Sequence, residues 1–183
     1  MAWQVGNDTN GTARNWYKQE KTQSCGVACA MMIVRLLQNK SLDETTVRAM
    51  FTNAEGSVNV GFDGIRNFNQ TGTTQSPIIG VLANYKISAN QVARDHVGKW
   101  IKAASATKPV ILGVDWGIAG VGQGGHWVVC LNWPSGGQCV VLDPWYGVVD
   151  SGTGLFPVYF ARSDTTEAGS IPKGRINDLI QIN

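Results

Sequence analysis

Nowhere in the 183 residues is there a run approaching the ~20 apolar residues that a membrane-spanning helix needs. No basic stretch followed by an apolar one opens the chain either. The first twenty residues, MAWQVGNDTNGTARNWYKQE, do not have the build of a secretory signal. Charge is scarce and balanced: Lys and Arg number 15, Asp and Glu 13, and no more than two basic residues are adjacent. That leaves no electrostatic footprint for nucleic acid or for an anionic membrane surface. Four Cys in a chain this long do not make a disulfide framework. Nor is there a Pro- or Ser-rich linker, a charge run or an internal repeat to divide it. With 43% apolar and 15% charged residues the chain is neither disordered nor a coiled coil. A single domain over 1–183 is expected, since a chain of this size buries ~70% of its unfolded surface. The expected location is the cytoplasm, or outside the cell by a route that needs no signal peptide.

Glycine (22 residues) and tryptophan (7) are abundant, which fits a loop-rich protein with an aromatic cleft. Residues 1–18 read as a polar, extended arm carrying Trp3, Trp16 and Tyr17. A mainly helical lobe is expected over 19–107. CGVACAMMIVRLLQN, from Cys25, is apolar nearly all round and predicts a buried central helix with Ser24 as its N-cap. Ser41 followed by Glu44 is a capping-box spacing that predicts a second helix over 41–51. Loops are expected at 52–62 and 71–76, a short helix at 63–70 and another helix at 89–104. After Lys108 the period becomes that of strands, and 108–183 is expected as a mainly β lobe. PVILGVDW, HWVVCLNW, CVVLDPWYGVV and LFPVYFAR are the strand candidates, with a Gly-rich loop at 117–125. Helices followed by strands predict an α+β fold with an antiparallel sheet.

The chemistry concentrates on four residues. Unpaired N–H groups and the positive dipole end at a helix start favour a thiolate, and Cys25 is expected there, beside Gly26. A thiolate nucleophile needs a His partner. His126, opening HWVVCLNW after a glycine loop, suits a cleft better than His96, which sits among Arg94, Asp95 and Lys99. Asp143, in VLDPWYG, is the expected acceptor for the His126 ring. A hairpin turn near Pro134–Ser135 would set Cys130 opposite Cys139 and His126 opposite Asp143. Asp115 and Asp150 are weaker alternatives. Gln19, six residues before Cys25, is a candidate oxyanion donor together with the Cys25 N–H, and Gln23 a less favourable one.

QEKTQSCGVAC, GGHWVV and VLDPWYG together resemble the papain-like cysteine peptidases. The resemblance covers about residues 19–150. It is closest to the double-glycine leader peptidases and to the papain-like type III effector proteases. It implies a papain-like fold in which a helical lobe carrying the Cys25 helix packs on the sheet. It also implies Cys25 as nucleophile, His126 as general base, Asp143 as its orienter and Gln19 in the oxyanion hole. The implied substrate is a protein or peptide, and the chemistry needs no metal or organic cofactor. The leader peptidases commonly carry Asp before the Cys, where this chain has Ser24, and usually sit on transporters. Their double-glycine preference is therefore not carried over. A small peptidase domain without a signal peptide suggests, by analogy alone, a bacterial effector or toxin.

Other readings of the same residues compete. The thioester chemistry would also serve an acyltransferase, a transglutaminase or an amidase acting on a non-protein amide. A catalytically silent binding module could keep the fold, but it has no need of all four residues. Cys25, Cys29, Cys130 and His126 are zinc-ligand types, yet Cys-x3-Cys within one helix is not a knuckle spacing. Cys130 and Cys139 are expected as reduced neighbours rather than a disulfide. Cys29, one turn into the helix, is expected as inert packing.

Overall fold

The amino-terminal arm pairs with itself. In the computed structural model, which describes residues 3–56, 72–93, 104–118, 121–132, 140–150 and 174–183, β1 (Trp3–Asn7) and β2 (Ala13–Tyr17) form an antiparallel hairpin. The Asp8 carboxylate builds its turn. It accepts the N–H groups of Asn10 and Thr12 at 3.1 and 2.9 Å and pairs with Arg14 at 3.1 Å. The expected ring packing is present: Trp3 and Tyr17 meet edge to face, with centroids 5.1 Å apart.

Helix α1 (Cys25–Gln38) is the central element. Every residue from Cys25 to Val34 is buried, which a helix apolar on all sides requires. Asn39 ends it in the left-handed conformation, at φ 53°. Helix α2 (Glu44–Gly56) starts three residues later than expected. Ser41 is not its cap. Asp43 is, its Oδ1 accepting the Thr46 N–H at 3.1 Å, which leaves Glu44 free to turn inward. Residues 52–56, expected as loop, are its last turns. The helix expected at 63–70 lies outside the described residues.

Only the first two residues of helix α3 (Gln75–Asn84) fall in the loop expected at 71–76. Pro77 sits in its first turn, where a missing N–H costs little, and Ile78, Val81 and Leu82 form its buried stripe. The first residues of the helix expected at 89–104 are not helical. Ala89–Val92 is strand β3, and pairing with a carboxy-terminal strand overrides the helical spacing. Residues 94–103, with His96, lie outside the described residues.

Five further strands complete the sheet: β4 (Val110–Ile118), β5 (Val121–Asn132), β6 (Val140–Asp143), β7 (Gly147–Asp150) and β8 (Gly174–Ile182). All neighbours are antiparallel, in the order β3-β8-β4-β5-β6-β7. The Gly-rich stretch expected as a loop is part of the β4–β5 hairpin, Gly117 lying opposite Gly122. CVVLDPWYGVV is split into β6 and β7 by a turn, after which Gly147 takes φ 92°. The strand expected at 155–162 lies outside the described residues. β8 was not expected, because polar residues such as Asp178 and Gln181 interrupt its apolar run.

The β5–β6 register also differs from expectation. Cys130 pairs with Val141 rather than with Cys139, and a bulge falls between Cys130 and Asn132. Asn132 Oδ1 takes the Val140 N–H at 2.7 Å, which accommodates the extra residue. The Cys130 thiol donates to the Asn132 carbonyl at 3.2 Å, and Cys139 lies outside the described residues. On one face of the sheet Ile111, Trp127, Val129, Leu131 and Leu142 pack with α1, α2 and α3. On the other, Val110, Leu112, Val128, Cys130 and Val141 form a second cluster. The architecture is α+β, with the helices against an antiparallel sheet.

Candidate active site

Cys25 opens α1 and is 4% exposed. Ser24 stands at the N-cap position, but its hydroxyl does not cap the helix. It is engaged instead by the Lys21 backbone, at 3.0 Å from the carbonyl and 3.2 Å from the N–H, and by the Glu44 carboxylate. The amide groups around Cys25 therefore lack a side-chain acceptor from Ser24, and the positive end of the helix dipole stays at the sulfur.

His126, on β5, comes to the same place and is 7% exposed. Its Nε2 lies 3.1 Å from Oδ2 of Asp143, at the end of β6, and its ring also hydrogen-bonds Cys25. With Nε2 held by the carboxylate, Nδ1 is the nitrogen left for the sulfur. Burial alone would lower the His126 pKa. The hydrogen bonds to Asp143 and Cys25, with the charges behind them, more than reverse this and raise it to about 9. An imidazolium paired with an anionic neighbour is thereby favoured at neutral pH.

Asp143 is fully buried. Its Oδ1 accepts the N–H groups of Trp145 and Tyr146 at 2.5 and 2.9 Å, so the turn between β6 and β7 fixes the carboxylate. Asp150, the weaker alternative, takes the Thr9 N–H at 2.5 Å, beside the β1–β2 turn. Asp115 is on β4, opposite Gly125. Cys29 is wholly buried. Burial, then the nearby Cys25 and Asp143, holds its thiol far above the usual range.

Gln19 lies on the loop before α1 and is tied to the Asp143 turn, its N–H donating to the Pro144 carbonyl at 3.0 Å. Its side-chain NH2 donates to the carbonyls of Lys21 and Thr22 at 2.7 and 2.8 Å, while its Oε1 is buried without a partner. An open cleft of about 170 Å³ runs alongside, lined by Lys18 to Thr22, Pro144 and the half-exposed Trp145.

One supporting residue had no clear signal in the sequence. Glu44 is 1% exposed and reaches from α2 to accept the Glu20 N–H at 2.8 Å as well as to meet Ser24. It braces the loop that carries Gln19 into Cys25. Among the described residues no three His, Cys, Asp or Glu side chains group as metal ligands would, and no helix is long and apolar enough to cross a membrane.

No curated protein matches the sequence. The profile of the Peptidase_C39 like family matches residues 13–154, more than three quarters of the chain, a span that holds Gln19, Cys25, His126 and Asp143. An antiparallel sheet packed on a buried Cys-bearing helix fits the papain-like fold of such cysteine peptidases, and the chain belongs to the Peptidase_C39 like family.

Proposed function

We propose that the chain is an endopeptidase in which Cys25 attacks the scissile carbonyl and His126 moves the protons. The observation that carries this reading is the hydrogen-bonded run Cys25–His126–Asp143, whose imidazole pKa is raised to about 9. In the resting pair the proton sits on His126 and the sulfur is nucleophilic. Attack forms the S–C bond and a tetrahedral oxyanion. The Cys25 N–H and the Gln19 amide stabilise that oxyanion. Gln19 reaches this role by sharing one of the hydrogens now given to the Lys21 and Thr22 carbonyls. His126 then protonates the leaving amine, the C–N bond breaks and an acyl thioester remains. The neutral imidazole next takes a proton from water, hydroxide attacks the thioester, and the acid product leaves. Asp143 holds the ring and stabilises its cationic form. The peptide lies across the site, with the cleft beside Gln19 and Trp145 open to one of its ends.

Alkylation by iodoacetamide at about pH 6 with peptide mapping tests the pair, because an ordinary thiol of pKa ~8.5 reacts slowly there. Selective labelling of Cys25 that is lost in His126→Ala, together with loss of peptide turnover in Cys25→Ala, is the expected result. Equal, slow labelling of all accessible cysteines, or turnover retained in Cys25→Ala, overturns it.

A further inference from the structure

Three contacts converge on residues 72–75, a short segment leading into α3 that the mechanism above does not use. The Trp127 indole Nε1 donates to the Thr73 carbonyl at 2.9 Å, a buried bond between residues 54 apart in sequence. The Thr73 side chain lies directly on Gly26: a Cβ at position 26 would fall 2.0 Å from Thr73 Oγ1 and 3.1 Å from its Cβ. Gln75 Nε2 donates to Oδ1 of Asp178 on β8. A slot in the sheet seats the indole. Gly113 is opposite Trp127, and a Cβ there would meet both the Trp127 ring and the Asp178 Cβ at 2.9 Å. The segment is thus tied to the sheet at two points and wedged against the first turn of α1.

Trp127 and Gly26 are the chain neighbours of His126 and Cys25. The two reacting side chains come from different layers of the fold, one from the sheet and one from a helix. We infer that residues 72–75 act as a strap that sets the Cys25–His126 separation, with Trp127 and the Thr73 carbonyl as its positioning groups. The Thr73 hydroxyl takes no part in the tie. It is buried without a partner, so what this residue contributes is its backbone oxygen and its bulk over Gly26. Positioning of this kind is sensitive, since a shift of ~1 Å at a reacting pair costs ~100-fold in rate.

The inference rests on Cys25 and His126 being the reacting pair, and its test separates the two claims. The probe is the rate of Cys25 alkylation by iodoacetamide, followed from about pH 5 to 9 in the wild type, in Trp127→Phe and in Gln75→Ala, beside the thermal unfolding of each. Trp127→Phe keeps a ring in the slot and removes the donor. The expected result is a folded Trp127→Phe whose Cys25 alkylation at about pH 6 drops ~10-fold or more, with a smaller drop in Gln75→Ala. Folded variants with the wild-type pH profile, even at a lowered unfolding temperature, mean that the strap only packs, and overturn the inference. If Trp127→Phe does not fold, Gln75→Ala decides alone by the same criterion. A wild-type Cys25 with no enhanced reactivity at pH 6 sinks the reacting pair itself, and is seen before any substitution in the strap is made.

Discussion

His126 Nε2 lies 3.1 Å from Asp143 Oδ2, although the two residues are not paired in the β5–β6 ladder. The ladder sets Val129 opposite Leu142, so the contact is a diagonal one that the side chains bridge. Asp143→Asn isolates its electrical part. Asparagine keeps an oxygen for the Trp145 and Tyr146 N–H groups but turns an NH2 toward Nε2. Nε2 must then accept, and the ring proton moves to the nitrogen facing the sulfur, the wrong tautomer for a base. Peptide turnover should fall by ~100-fold or more. The alkaline limb of activity, set by a His126 pKa of about 9, should move down toward the ordinary ~6.5. The sign carries over to stability. A raised histidine pKa stabilises the fold fully below ~6.5, and that contribution is lost as pH rises through about 9. The decline in unfolding midpoint across that window should flatten in the variant. A His126 that still titrates near 9 in Asp143→Asn would remove the carboxylate as the cause.

Gln19 separates oxyanion stabilisation from loop support. Both N–H groups of its amide brace the Lys21 and Thr22 carbonyls, so Gln19→Ala should cost about 1–2 kcal/mol of stability. In peptide hydrolysis it should also lower kcat by ~100-fold, with KM little changed. Alkylation by iodoacetamide forms no tetrahedral oxyanion. Cys25 labelling at about pH 6 should therefore stay near the wild-type rate while turnover is lost. Parallel loss of both would assign Gln19 to the loop alone.

The parts of the site legible in the sequence were those carried by local signals. An all-round apolar helix announced α1 and put Cys25 at its start, and β-branched runs announced β4, β5 and β6. Asp143 was found on a register that proved two residues out. It still meets His126 because the imidazole reaches across to its diagonal neighbour. What was illegible depends on distant parts of the chain. Ala89–Val92 has a helical spacing, yet β8 offers it a ladder. Glu44 read as half of a capping box, and its burial follows from where the Gln19–Ser24 loop lies. Thr73 looked like one polar loop residue among several, and only the fold brings it between Gly26 and Trp127.

Glu44 carries a pH dependence of its own. Burial pushes its carboxyl above the usual 4.5, and the Glu20 charge adds to this. The Ser24 hydroxyl, the Glu20 N–H and Arg48 at 3.7 Å pull the other way without prevailing. An acid whose pKa is raised by folding favours the native state when protonated. Its contribution is complete below about 4.5 and is lost as pH rises through the raised value. Glu44→Gln cannot ionise, so its stability relative to wild type should improve steadily as pH climbs from about 4.5 to 7 in urea unfolding. Glu44→Ala, which leaves the Glu20 N–H without its acceptor, should be destabilised throughout by ~1–3 kcal/mol. A difference between wild type and Glu44→Gln that does not change with pH would mean the carboxyl titrates normally.

Gly26→Ala puts helix propensity against packing next to Cys25. Alanine in a helix is worth ~1 kcal/mol over glycine, and position 26 lies in the first turn of α1. The new methyl, however, would lie 2.0 Å from Thr73 Oγ1 and 3.1 Å from Ile78 Cδ1, both on buried residues. Rotating the threonine does not clear its Cβ, also at 3.1 Å, so the 72–75 segment must move off α1. Overpacking of this kind costs ~1–3 kcal/mol, and the clash should outweigh the propensity gain. Thermal unfolding should show a net loss of stability. Fluorescence of the indole, whose N–H the Thr73 carbonyl holds, should report the displaced segment. A variant as stable as wild type would show that the loop yields freely at Gly26, and that the glycine is there for access to the sulfur rather than for fit.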